Sequence, residues 1–154
     1  MTDRMARAAM LVRQPIGEVF DAFVSPDKIT RFWLEAASAP LTMGARVTWR
    51  FMVPGASDTV EVTAFEPPRL ISFDWSSGLH VNLVFKDHNA AVTQVTAEVS
   101  GFNAEAEVAD IVNATEGFSI VLCDLKTMLE TGRSANLVRD KAELIAATSG
   151  DRKK

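Results

Sequence analysis

Between Arg46 and Val99 apolar side chains recur at every second position, and this period constrains the fold more than any other feature of the chain. Val47, Trp49, Phe51 and Val53 alternate with Thr48, Arg50 and Met52. Val60, Val62 and Ala64 alternate with Thr59, Glu61 and Thr63, and Ile71, Phe73 and Trp75 with Leu70, Ser72 and Asp74. Leu79, Val81, Leu83 and Phe85 are opposed by His80, Asn82 and Val84, and Thr93, Val95, Ala97 and Val99 by Gln94, Thr96 and Glu98. Successive side chains of a strand point to opposite faces, so each run reads as a strand with one apolar face. The breaks carry turn residues: Pro54-Gly55, Glu66-Pro67-Pro68-Arg69, Ser76-Ser77-Gly78 and Asp87-His88-Asn89.

The Ser76-Ser77-Gly78 loop sets a register. An odd loop of three residues pairs Trp75 with Leu79 and Phe73 with Val81, which keeps the large apolar side chains on one face. An even loop would bring His80 and Asn82 among the aromatics. A slip of one residue inverts the whole face, so the odd loop is expected. The result is an antiparallel sheet covered on one side.

The cover is legible further on. Phe118, Val121, Leu122, Leu125, Met128 and Leu129 recur at steps of three and four, which makes one stripe of a helix from Gly117 to Thr131. Gly132 suits the left-handed residue that ends it. Residues 104–114 also have helical composition, with Glu105, Glu107 and Asp110 near the start, where the helix dipole favours acids. A break is expected between Asn113 and Gly117. Ser134 or Asn136 would cap a further short helix carrying Leu137, Val138, Leu144 and Ile145, and Thr148 to Lys154 reads as frayed.

At the other end, residues 6–14 read as a strand that Pro15 stops. Val19, Phe20 and Phe23 share a helical face over 16–24, and Pro15 suits the start of that helix. Ser25-Pro26-Asp27 reads as an N-cap with proline at the first helical position, opening a second short helix with Ile29, Phe32 and Trp33. The fold class is α+β: six antiparallel strands, two short helices after the first, and a long C-terminal helix. A single domain is expected over 1–154, with a core from about 6 to 131 and an extra helix from about 135 to 147. A chain of 154 residues is long enough to bury such a core.

Composition excludes several function classes. The net charge is −4, and basic residues concentrate only at Arg152, Lys153 and Lys154, so neither nucleic acid nor an anionic membrane is an expected partner. Met1 to Ala9 carries Asp3, Arg4 and Arg7 and lacks the apolar core of a signal peptide. No run approaches the roughly 18 apolar residues of a membrane span. With the single Cys123, these features point to a cytoplasmic protein.

Candidate chemistry is sparse. His80 and His88 are the only histidines; the odd register turns His80 away from the apolar face, and His88 sits in a turn. Two histidines and one cysteine do not make a soft or borderline metal site, and no metal or cofactor is expected. Cys123 lies beside the helical stripe and reads as a buried inert thiol. There is no Gly-x-Ser-x-Gly elbow, and Ser119 lies in a helix. Pro54-Gly55-Ala56-Ser57 is a turn, not a phosphate loop. No catalytic residue is assigned.

The ordered set of segments resembles a known family. Its carriers are Val12 to Phe23, Ser25-Pro26-Asp27-Lys28, Phe32-Trp33, Glu66 to Trp75, Thr93-Gln94-Val95-Thr96, Gly117-Phe118 leading to Leu125-Lys126, and Asn136-Leu137-Val138-Arg139-Asp140. Over roughly residues 8–140 the chain resembles the START-like (SRPBCC, helix-grip) superfamily, and most closely the homologues of the activator of the heat-shock-protein-90 ATPase. It departs from the usual pattern at Phe32 and Phe118, where relatives often carry tryptophan, and at Gly17-Glu18. The resemblance implies a curved sheet wrapped around the long helix with a cavity between them. Members bind lipids, aromatic polyketides or hormones, or act on a partner chaperone.

The inward residues expected to line that cavity are Trp33, Trp49, Phe51, Phe73, Trp75, Leu83, Phe85, Phe118, Leu122 and Leu125, with Met43, Met52 and Met128 as candidates for an adaptable mouth, though Met52 is expected to point outward. The inward strand faces show no charge, which favours an apolar ligand over proton chemistry. The leading expectation is therefore binding of a small apolar or lipid-like molecule. The alternatives are a chaperone-associated module acting through its surface, and a cyclase- or hydratase-like enzyme using His80 or Asp74. A homodimer is left open.

Overall fold

In the computed structural model, which describes residues 4–105 and 107–152, the alternating segments become strands β1 (Ala6–Val12), β2 (Leu34–Ala37), β3 (Arg46–Phe51), β4 (Ser57–Glu66), β5 (Leu70–Asp74), β6 (His80–Asn89) and β7 (Val92–Ser100). They form one antiparallel sheet in the order β1-β7-β6-β5-β4-β3-β2. Helices α1 (Ile16–Val24) and α2 (Pro26–Ile29) follow β1, and α3 (Glu107–Thr131) and α4 (Leu137–Arg152) close the chain.

Seven strands among the described residues replace the six expected. The addition, β2, has four residues, one deeply buried side chain (Leu34) and a bulge between Leu34 and Ala36, so it has no period-two pattern to read. Its partner β3 supplies the ladder that makes it a strand. The β5–β6 register is the odd one: Phe73 faces Val81, and the Trp75 N–H donates to the Leu79 carbonyl at 2.9 Å. The β6–β7 turn is displaced from the expected triplet. A bulge between Asp87 and Asn89 lets β6 continue to Asn89, and Ala90-Ala91 makes the turn, with the Asn89 side chain accepting from the Ala91 N–H. A bulge between Val62 and Ala64 also switches the inward residue near the end of β4 from Ala64 to Phe65, whose ring lies 5.5 Å from that of Phe20.

The long helix is not broken. It runs through Asn113 and Gly117, and the hydroxyls of Thr115 and Ser119 donate to the carbonyls of Ile111 and Thr115 one turn back. A mid-helix glycine costs only about 1 kcal/mol against alanine. Gly132 ends α3 with φ +84°, its N–H donating to the Met128 carbonyl. The α4 helix extends through Thr148 to Arg152, in place of the expected fraying; Lys153 and Lys154 lie outside the described residues. Neither expected side chain caps α4. Asn136 has φ +60° and offers its carbonyl to Asp140, and Ser134 turns back to α3. Pro15 stands at the start of α1, as its N-cap.

One core unites these elements. Phe118, Val121, Leu122, Leu125 and Met128 of α3 join the inner face of the sheet and the buried side of α1 in a single apolar cluster. The C-terminal half of α3 runs along the edge strand β1. There its polar side chains engage the backbone: Lys126 Nζ donates to the Leu11 carbonyl at 2.7 Å, and Glu130 accepts from the Arg13 N–H at 2.8 Å and from Lys126 at 2.7 Å. These bonds occupy backbone groups near the end of an edge strand.

Two glycines differ in what a side chain would meet. Gly101 has φ +89°, and a Cβ there would sit 2.8 Å from the Gly78 carbonyl oxygen, whereas a Cβ at Gly117 meets nothing within 4 Å. Thermal unfolding should therefore show Gly101→Ala destabilised by about 1–3 kcal/mol and Gly117→Ala stabilised by about 0.5–1 kcal/mol. A second prediction concerns Glu130. Burial alone would raise its carboxyl, but the hydrogen bonds from Lys126 and Arg13 and the charges of both hold it below its ordinary value of 4.5. A folded-state value below the unfolded one contributes stability above the ordinary range and loses it as pH falls through the lowered value. Glu130→Gln should be less stable than the parent at neutral pH in urea titrations, with the gap closing as the pH is taken below 4.5.

Candidate functional site

Aromatic rings fill one end of the space above the sheet and leave the other end open. At the closed end, Phe85 of β6 stacks edge-on against Phe20 at 5.1 Å and Phe23 at 5.7 Å, both from α1, and Phe23 meets Phe32 at 5.4 Å. The early helices do not extend over the tips of the β3–β4 and β5–β6 hairpins. There, between those tips, the middle of α3 and one face of α4, lies a cavity of about 600 Å³.

Trp33, Phe51, Trp75 and Phe118 form its aromatic wall. Trp33 lies 5.6 Å from Phe118 and 6.5 Å from Trp75, and Phe51 lies 5.6 Å from Trp75. Ala114, Gly117, Ile120 and Val121 of α3 make the floor, and Val138, Lys141, Ala142 and Ile145 of α4 the opposite side. The two charged lining residues among those described are Asp58 and Lys141. Asp58 is held in the hairpin region, accepting from the Thr59 N–H at 2.7 Å. Lys141 pairs with Glu116 of α3 at 2.7 Å.

Of the ten residues expected to line a cavity, the structure brings Trp33, Phe51, Trp75 and Phe118 to this one. Trp49, Phe73, Leu83, Phe85, Leu122 and Leu125 are placed elsewhere: each is at most 1% exposed and part of the solid core. For Phe85 the physical reason is the ring packing just described, in which Phe20 and Phe23 occupy the space over it. Trp49 and Phe73, 5.2 Å apart, stand directly behind the aromatic wall. Among the methionines, Met52 lines the cavity despite its expected outward position, because β3 ends at Phe51 and the turn beyond it breaks the alternation. Met43 is exposed, and Met128 is buried in the core.

The contribution of α4 has only a faint signal in the residue pattern: Val138, Lys141, Ala142 and Ile145 share one helical face, and one of the four is a lysine and one an alanine. Only Ala142 of its described side chains is buried, so it lacks the stripe that marks a packed helix. It is positioned by its root and by ion pairs. Asp124, buried on α3, accepts from the Ser134 hydroxyl at 2.5 Å and the Ala135 N–H at 2.8 Å. Arg139 reaches Glu35 of β2 at 3.0 Å. A contact from α4 to β2 requires the strand that the sequence hides.

The chemically tempting residues lie away from the cavity. His80 and Asp74 pair on the outer face of β5 and β6, with Nδ1 and Oδ1 2.5 Å apart, and Asn82 Oδ1 lies 3.0 Å from the other ring nitrogen while accepting the Ser72 hydroxyl at 2.6 Å. His88 is exposed at the end of β6. Cys123, half-buried, borders a shallow crevice on the far side of α4, lined also by Leu137 and Leu144. Among the described residues, no three of His, Cys, Asp and Glu cluster as a metal would require. No helix among them is long and apolar enough to cross a membrane.

Solved structures share this architecture. Protein SSP2350 from Staphylococcus saprophyticus is 29% identical, with a TM-score of 0.77 over 85% of this chain and 95% of that one. DynU16, a protein of the dynemicin biosynthetic locus, is 25% identical with a TM-score of 0.74, over 86% of this chain and 49% of its own. The Aha1 dimer from Colwellia psychrerythraea, at 15% identity, shares the fold with a TM-score of 0.75, over 85% of this chain and 99% of that one. No curated protein matches the chain in sequence. The family described as activator of Hsp90 ATPase homolog 1-like proteins matches residues 13–130, from just past β1 to the last turn of α3. The chain belongs to that family, and with it to the helix-grip superfamily.

Proposed function

We propose that the protein binds a small, largely apolar molecule in the cavity between the hairpin tips, α3 and α4, with the sheet gripping α3 from one side. The observation that carries this reading is a space of about 600 Å³ bounded mainly by apolar and aromatic side chains, the usual character of a small-molecule pocket. Gly117 supports it. This position lies in the middle of a 25-residue helix, where alanine would be better and would meet no obstacle, yet it carries no side chain and leaves the floor of the cavity open. His80 and Asp74, the side chains an acid–base mechanism would need, face away from this space, so no catalytic step is assigned to it.

A neutral fluorescent probe, N-phenyl-1-naphthylamine, should bind with one-to-one stoichiometry. Gly117→Leu fills the floor without removing a core contact. It should weaken the probe by at least about tenfold while the melting temperature stays equal or rises. Absence of probe binding, or binding indifferent to Gly117→Leu, overturns the proposal.

A second reading, a module that acts on a chaperone through its surface, has one structural observation in its favour. Val108 and Val112 of α3 and Leu144 and Ile145 of α4 are large apolar side chains left in solvent. The family description names an activator of the Hsp90 ATPase. If this reading holds, the chain should raise the ATPase rate of Hsp90, and Val112→Ser with Leu144→Ser should remove the effect without lowering the melting temperature. An unchanged ATPase rate at saturating protein would sink it. The same exposed residues would also serve a second copy of the chain, which sedimentation of that double variant distinguishes.

A further inference from the structure

From the position of Lys141 we infer that the cavity takes an amphipathic anion: an apolar body inside and one anionic head, a carboxylate or phosphate monoester, at the Lys141 ammonium. This inference rests on the binding proposed above and adds the chemical class of the ligand. Lys141 is the one cation among the described residues around the cavity. It also borders the crevice beyond α4, so its side chain stands at the seam between two spaces that both open to solvent. A head group there stays hydrated on its outer side, and the apolar remainder faces Ile120, Val121 and the aromatic wall. This is the division that an amphipathic molecule requires.

The present partner of Lys141 is replaceable. Glu116 is held by that contact at 2.7 Å, and its side chain is 54% exposed against 33% for Lys141. A carboxylate in water gives up little by leaving such a pair. The ammonium, at the lip of an apolar space, gains from an anion delivered from the inside. The other charged lining residue, Asp58, already accepts a hydrogen bond from the Thr59 N–H and carries the wrong sign for an anion. The two charges thus favour one orientation, with the head at α4 and the tail toward the hairpin tips.

The test compares three twelve-carbon probes below their aggregation limits, using the full chain at low salt: dodecanoate, dodecyl phosphate and dodecanol. At least one anion should bind about fivefold tighter than the alcohol, and the relative strength of the two anions identifies the head group. Lys141→Met, which keeps the apolar stem, should bring anion and alcohol to equal affinity, and Glu116→Gln should tighten the anion alone. Equal binding of acid, phosphate and alcohol to the parent overturns the inference and leaves the apolar reading standing. Discrimination that persists in Lys141→Met, with circular dichroism unchanged, also overturns it. If none of the three binds while N-phenyl-1-naphthylamine does, the inference alone falls; if no probe binds, both readings fall.

Discussion

The seating of α3 against the sheet holds the fold together. Its stripe from Phe118 to Met128 completes the apolar cluster that the sheet and α1 begin, and neither layer could bury its face without the other. At the β1 edge the same helix supplies polar groups to the strand backbone, through Lys126 to the Leu11 carbonyl and Glu130 to the Arg13 N–H. Apolar burial supplies the attraction, which is non-directional. The edge bonds are directional and set where the helix lies along the strand.

Where that seating is backed by α1 and α2 the interior is solid, and where it is not the interior is open. Phe20 and Phe23 fill the space over Phe85, with Phe32 against Phe23, while no residue of α1 or α2 lines the cavity at the hairpin tips. The α4 helix walls the open end instead. It is attached differently from α3, by a buried carboxylate at its root and ion pairs along its length, with one buried described side chain. The family match ends at residue 130, so the helix that completes the cavity lies beyond the matched region.

Chemistry and architecture separate in this protein. The histidine–aspartate pair that would attract attention in an active site is an outer-face cross-strand contact, tied into a polar chain with Asn82 and Ser72. The cavity has instead an aromatic wall, an open position at Gly117 and, among the described residues, one ammonium at its seam. That combination suits recognition by shape, burial and one charge.

Local pattern is enough to specify the layers. Period-two alternation, the odd loop at Ser76-Ser77-Gly78 and the stripe after Gly117 call for an antiparallel sheet with one apolar face and a helix to cover it, because these patterns repeat at the periods of the elements themselves. Features without a period are not legible: β2 with its bulge, the extension of β6 past Asp87, and the uninterrupted run of α3 through Gly117. The candidate site divides on the same line. Trp33, Phe51, Trp75 and Phe118 are legible as inward aromatics, but so are Trp49, Phe73 and Phe85, and one-dimensional pattern cannot tell a side chain that lines a space from one that fills it. That difference is set by what other elements bring to the same place. Long-range packing alone makes α1 close one end, α4 wall the other, and Lys141 stand at the seam beside α3.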